Sequence, residues 1–115
     1  MNDELLAKTN RMNLLFDFYE LLLTEKQRTF LSYYVHDDYS LGEIAENVGI
    51  SRQAVYEHIK RAESMLQEYE AKLGLLQKFE QRQKLMRELD EVIVSLDDDY
   101  QTKVRLLIEQ IERID

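Results

Sequence analysis

Residues 40–59 have the sequence SLGEIAENVGISRQAVYEHI, which contains two helix-start signals and one turn signal. Ser40 is followed three residues later by Glu43, which is the spacing of a capping box. Ser51 is a second N-cap residue, without an acidic or amide partner at the third position. Between the two signals, Gly49 can adopt the left-handed backbone that a tight turn requires. The segment therefore predicts two helices, each beginning just after a serine, joined by a short turn.

The apolar and small residues of this segment have the spacing of a helix-turn-helix. Ala45 is small enough for the second helix to cross close above it, and Gly49 makes the turn. The other residues wedge the two helices at a fixed angle, which lets the second helix enter the major groove of DNA. The predicted packing set is Ile44, Ala45, Val48, Gly49, Ile50, Val55 and Ile59.

The polar side chains of the second predicted helix point to contacts with DNA. Arg and Gln pair bidentately with guanine and adenine edges, and a helix N-terminus with Ser51 can hold a phosphate. Lys60 and Arg61 can contact backbone phosphates. The candidate DNA-binding residues are Ser51, Arg52, Gln53, Tyr56, Glu57, Lys60 and Arg61. Because these include three bases and one acid, the helix is locally positive.

The composition of the whole chain excludes several other classes of protein. The chain has 115 residues with no Cys, no Pro and three Gly, so it lacks the material for a disulfide framework, a cysteine zinc site or a glycine-rich phosphate loop. Its only histidines, His36 and His58, have no partners at metal-ligand spacing. We expect no catalytic site, no metal and no cofactor. The net charge of −8 argues against non-specific binding to nucleic acid or to anionic membranes.

The remaining sequence predicts further helices and no strands. Thr24 and Gln27 form a capping box that begins another helix. Asp97–Asp99 interrupts the C-terminal region and favours a helix start there. No apolar run in the chain is long enough to span a membrane. The predicted fold is all-α, with helices at 2–22, 25–36, 41–48, 51–73, 75–96 and 99–114. We expect a helix-turn-helix domain with an N-terminal helix over 1–73 and a helical hairpin over 74–115.

The two arms of the predicted hairpin each carry one narrow apolar seam. Their residues recur at three- and four-residue steps, which is the spacing of one helix face. The seams are Phe79, Met86, Leu89, Ile93 and Leu96, and Tyr100, Val104, Leu107, Ile111 and Ile114. Such seams pair with each other, with the first helix or with a second chain, and the sequence leaves these alternatives open. A homodimer is a hypothesis that fits both the seams and the two-fold symmetry of operators.

Several short motifs resemble known bacterial proteins. TEKQR at 24–28, SLGEIA at 40–45, SRQAV at 51–55 and KRA at 60–62 resemble region four of bacterial sigma factors. With LFDFY at 15–19 placed before them, the chain is more closely similar to the YlxM family of small bacterial proteins. The resemblance extends over residues 12 to 80 in its motifs and over the rest only in its character.

The resemblance implies a DNA-binding regulator with a sigma-region-four-like helix-turn-helix. It also implies a link to the signal recognition particle pathway, because the family's genes lie beside the gene of the particle's GTPase. Two function classes therefore stand: a sequence-specific DNA-binding protein, and a non-catalytic adaptor of signal recognition particle components. We expect a cytoplasmic protein that is not a complete sigma factor, since no other sigma domain precedes the motif.

Overall fold

A computed structural model describes the backbone of residues 3–114 and the side chains of residues 10–114, and this part of the chain is all-α. Six α-helices and one short 3-10 segment follow one another. They are α1 (Asp3–Tyr19), the 3-10 segment Glu20–Leu22, α2 (Glu25–Val35), α3 (Leu41–Val48), α4 (Arg52–Leu73), α5 (Leu75–Ile93) and α6 (Asp98–Ile114). The predicted all-α helix-turn-helix fold is confirmed.

The predicted helix starts are made by the side chains that the sequence indicated. Thr24 and Ser40 each accept a hydrogen bond from the backbone N–H three residues on, at 3.1 Å. The partner side chains, Gln27 and Glu43, accept the backbone N–H of the cap residue in return, which completes both capping boxes. Ser51 accepts from the Ala54 N–H at 3.1 Å and caps α4 without a reciprocal partner.

The helix ends differ from the predicted ones where local hydrogen bonds tighten the chain. The predicted first helix, 2–22, is α-helical only to Tyr19 and continues as the 3-10 segment, while its predicted start at residue 2 lies outside the described residues. The helix predicted to end at residue 96 ends at Ile93. There the N–H groups of Ser95 and Leu96 bond carbonyls only three residues back, which ends the α-helix.

The chain divides into two compact units, residues 1–76 and 77–115. In the first unit, α4 is the central helix, against which α1, α2 and α3 all pack. One side of α4 is fully buried through Val55, Ala62 and Leu66, and it meets buried side chains of the other three helices. These include Leu15, Phe16, Tyr19, Phe30, Leu31 and Ile44. That the chain forms separate domains at 1–73 and 74–115 stays a prediction.

A buried polar network fixes the junction between α4 and α5. Gly74 ends α4 with a left-handed φ of 62°, a conformation that an L-residue adopts only with strain. The hydroxyl of Tyr19 donates to Glu70 Oε1 at 2.6 Å and accepts the Leu75 N–H at 3.0 Å. Glu70 Oε1 also accepts the Leu76 N–H at 2.9 Å. Two of the unpaired amides at the start of α5 are therefore satisfied by side chains from α1 and α4.

The second unit is a helical hairpin. Asp97 Oδ1 accepts the Tyr100 N–H at 3.1 Å and so caps α6. The Gln101 amide donates to the carbonyls of Val94 and Leu96, which closes the connection between the helices. Arg105 of α6 forms an ion pair with Asp90 of α5 at 3.1 Å.

Candidate nucleic-acid interface

The helix-turn-helix consists of α3, a turn at Gly49 and the first half of α4. Gly49 is the C-cap of α3 with a φ of 78°, so the left-handed turn predicted from the sequence is confirmed. The Gly49 and Ile50 N–H groups both bond the Ala45 carbonyl, at 2.9 and 3.2 Å, which closes the turn. The chain therefore leaves α3 and enters α4 within three residues.

The predicted packing residues are not all buried. Ile44, Val55 and Ile59 lie in the core, and Ala45 and Ile50 are half-buried. Val48 is only partly covered, at 40% exposed, and its place in the wedge between the helices stays a prediction. Because α3 ends at Val48 and the chain turns away at Gly49, no further helical turn covers this side chain.

The candidate DNA-binding residues all lie on the exposed side of α4. Val55 and Ile59 of the same helix point into the core, so the polar positions between and before them face outward. Each of the seven predicted residues is exposed: Ser51, Arg52, Gln53, Tyr56, Glu57, Lys60 and Arg61. The structure thus brings the predicted set together on the N-cap and the first three turns of α4.

Two pairs of these side chains contact each other along the helix. The Gln53 amide donates to Glu57 Oε1 at 3.1 Å, and the Lys60 ammonium lies 5.9 Å from the centre of the Tyr56 ring. Residues four apart are neighbours on a helix surface, so both pairs are expected from their spacing. In the part of the chain that the structure describes, Arg52 has no hydrogen bond or ion pair. Its guanidinium is therefore available to a ligand.

His58 lies behind this exposed face rather than on it. Its ring is half-buried and stacks on Phe30 of α2, with ring centres 4.8 Å apart. Burial lowers the pKa of His58 below its ordinary value of 6.5, and the charges of Lys26 and Arg61 lower it further. The neutral imidazole is thus part of the packing between α2 and α4.

Comparison with known proteins places this fold in a family. Residues 6–112 match the UPF0122 family, described as "putative helix-turn-helix protein, YlxM / p13 like". The chain belongs to the UPF0122 family. Similar relatives include the UPF0122 proteins of Bacillus cereus strain AH187, Bacillus anthracis strain A0248 and Bacillus thuringiensis subsp. konkukian strain 97-27. Each is 54% identical over 111 residues, which cover 96% of this chain and 100% of the relative.

Sequence reasoning missed that Lys26 of α2 acts on His58 of α4 in this UPF0122 family member. Lys26, in the first turn of α2, is close enough to His58 for its charge to act on the imidazole, as Arg61 of α4 also does. The sequence places these two bases 35 positions apart, and only the packing of α2 on α4 brings both to His58. The capping box at Thr24 predicted the start of α2, but no local pattern indicated that Lys26 acts on His58.

The described residues offer few other sites. Among the side chains of residues 10–114, no group of three or more His, Asp or Glu is arranged to hold a metal ion. None of the described helices is both long and apolar enough to cross a membrane.

Proposed function

We propose that this UPF0122 family member is a non-catalytic, sequence-specific DNA-binding regulator whose α4 helix enters the major groove. The observation that carries the proposal is the division of α4 into two sides. Its apolar side is buried, while Arg52, Gln53 and Lys60 share an exposed side that also bears Tyr56 and Arg61. The family description as a helix-turn-helix protein supports the same function.

The contacts of each side chain suggest its role on DNA. Arg52 has its five donors unused, so it is the residue that would pair bidentately with a guanine. Gln53 is held by Glu57, which leaves the amide carbonyl and one amide hydrogen to read a base edge. Glu57 would therefore orient Gln53 rather than touch a base itself. Lys60 and Arg61 would contact phosphates, which fix the register of the helix on the duplex.

The experiment is a fluorescence-anisotropy titration with a labelled, randomised duplex, followed by selection of the bound sequences. The variant Arg52→Ala/Lys60→Ala removes one base-reading and one phosphate-binding group. We expect a loss of roughly 2–4 kcal/mol, or about a hundredfold in affinity. A matched control, Lys72→Ala/Lys84→Ala, removes the same charge from exposed positions outside the face. Equal affinity of the parent and the Arg52/Lys60 variant would contradict the assignment.

A second candidate function is favoured by the acidic charge of the chain. With a net charge of −8, most of the surface repels nucleic acid and suits a basic protein partner. The proposed alternative is an adaptor of signal recognition particle components, namely its GTPase or the RNA complex. A pull-down with purified particle components separates the two functions. If the particle components retain the Arg52→Ala/Lys60→Ala variant and the parent chain does not bind duplex DNA, the adaptor function is favoured.

The proposal includes three further elements from the sequence. The helix-turn-helix is taken to be sigma-region-four-like, and the protein is taken to act in the cytoplasm, where both candidate partners are found. A homodimer is proposed because helix-turn-helix proteins commonly bind two half-sites related by a two-fold axis.

A further inference from the structure

The exposed face of α4 carries an acid at its centre. Glu57 is two residues from each of Val55 and Ile59, so at ~100° per residue it lies nearly opposite both buried side chains. It is exposed, and Gln53, one helical turn earlier, is exposed on the same side. With α4 in the major groove, Glu57 therefore faces the DNA. Its carboxylate repels phosphates there, so it weakens binding unless it contributes to recognition in another way.

The contact between Glu57 and Gln53 fixes one orientation of the Gln53 amide. Gln53 Nε2 donates to Glu57 Oε1 at 3.1 Å. A free glutamine can rotate its amide by half a turn and offer either its oxygen or its nitrogen to a base. Beside the carboxylate, that rotation would place two acceptor oxygens against each other with no proton between them. The nitrogen of Gln53 is therefore held toward Glu57, which leaves Oε1 and the second Nε2 hydrogen to a ligand.

An amide held in this orientation matches adenine and disfavours guanine. In the major groove, adenine presents the N6 amine as a donor beside the N7 acceptor, so it can bond both Oε1 and the second Nε2 hydrogen of Gln53. Guanine presents two acceptors, O6 and N7, one of which would then face Oε1. Cytosine can bond only the amide oxygen, through N4, and thymine only the amide hydrogen, through O4. The pair of side chains thus has the donor and acceptor pattern that adenine requires.

We infer that Glu57 is a positioning residue that makes Gln53 specific for adenine. This role rests on the proposed function, since it needs α4 in the major groove, and Glu57 acts through Gln53 without touching a base. The charge of Glu57 lowers the affinity for DNA, while its hydrogen bond prevents Gln53 from turning its donor end to guanine. Removal of Glu57 should therefore raise affinity and lower specificity, two effects of opposite sign.

Selection from the randomised duplex, repeated with variants of the full chain, tests this role. Gln53→Ala identifies the base pair that Gln53 reads, as the position where the preference for adenine disappears. At that position, Glu57→Ala should lower the preference for adenine over guanine about tenfold, the factor that one hydrogen bond to a charged group supplies. It should also bind duplexes of unrelated sequence roughly two- to fivefold more tightly at low salt, because an exposed repelling charge is removed.

Two further variants of α4 serve as controls. Glu68→Ala removes the same charge from an exposed position about three turns further along the helix, so it should leave the base preference unchanged. Glu57→Gln keeps an acceptor oxygen within reach of Gln53 and should retain part of the adenine preference, although its neutral amide can itself rotate. Circular dichroism should be the same for all variants, since each replaced side chain is exposed.

A modified duplex tests the base contact itself. Replacing the adenine by 7-deazaadenine removes N7, the acceptor for the second Nε2 hydrogen of Gln53, and keeps the N6 amine. The parent should bind this duplex roughly three- to tenfold more weakly, whereas Gln53→Ala should bind both duplexes equally.

The outcomes separate this role of Glu57 from the proposed function. An unchanged adenine preference in Glu57→Ala overturns the role, as does a base other than adenine at the position that Gln53 reads. Loss of a preference at a different base pair overturns it too, because Glu57 would then touch a base itself. A parent that binds no duplex and enriches no motif overturns the proposed function, and the role of Glu57 with it.

Discussion

Glu70 is an ionisable residue at a position where the helix pattern calls for an apolar one. It continues the buried stripe of α4, Val55, Ile59, Ala62 and Leu66, at the next four-residue step, and it is 9% exposed. Its carboxyl oxygen accepts from Tyr19 and from the first turn of α5. Burial raises the pKa of the Tyr19 hydroxyl, and the hydrogen bond to Glu70 raises it further, so that hydroxyl keeps its proton and donates. Glu70 thus ties three helices together.

Replacing Glu70 tests this role. Glu70→Ala leaves the Tyr19 hydroxyl and the Leu76 N–H buried without their acceptor, so it should lower the free energy of unfolding by about 3 kcal/mol. Glu70→Gln keeps an acceptor oxygen at nearly the same place and should cost about 1 kcal/mol. Urea denaturation followed by circular dichroism measures both values. Equal losses for the two variants would mean that the network contributes only through packing.

His58 predicts a pH dependence of stability. Its pKa is lowered in the folded protein by burial, and then by Lys26 and Arg61, so the unfolded chain takes up a proton first as the pH falls below about 6.5. The neutral ring therefore contributes fully to the free energy of unfolding above pH 6.5. That contribution is lost on acidification, at no more than ~1.4 kcal/mol per pH unit.

The comparison for His58 is made between pH 7.5 and pH 5.5, with urea denaturation of the parent and of His58→Gln. The variant lacks the titrating group, so its free energy of unfolding should change less between the two pH values than that of the parent. The overall stability of the variant is not the test, since Phe30 loses a stacked ring. An identical pH dependence in both proteins would contradict the buried, neutral assignment.

At the scale of single elements, the sequence predicts best what is decided locally. The capping boxes at Thr24 and Ser40 and the left-handed Gly49 all depend on residues within a few positions of one another, and all three are present. The partial exposure of Val48 could not be predicted, because it depends on where α3 stops relative to α4. The role of Glu70 was missed because its partners lie on other elements, although its place in the apolar stripe of α4 was a usable signal.

The hairpin gives the complementary example. Its seams were evident from their spacing, and their periodicity predicted two helices that the structure contains. Periodicity does not tell which surface covers a seam, however, because the same stripe suits a neighbouring helix or a second chain. The exposure of Leu107 and Ile111, at 57% and 56%, is a property of the folded chain. Only the folded chain therefore shows that these two side chains are left exposed.

For the whole molecule, the electrostatic problem is how an acidic chain approaches DNA. Residues 1–76 contain 8 bases and 13 acids, so the unit that holds the helix-turn-helix is itself negative. Attraction is then limited to the bases on the exposed face of α4: Arg52, Lys60 and Arg61. The few phosphate contacts that these residues can make should leave a measurable signature in the salt dependence of binding.

We expect the logarithm of the DNA association constant to fall linearly with the logarithm of salt concentration. With two or three phosphates neutralised at ~0.9 counterion each, the slope should be about −2 to −3 for each bound chain. Anisotropy titrations at several salt concentrations measure it on the selected duplex. The Arg61→Ala variant should make the slope shallower by about 1, whereas Lys72→Ala, outside the face, should leave it unchanged. A slope near zero would mean that α4 makes no phosphate contacts, and the acidic surface would then favour the adaptor function.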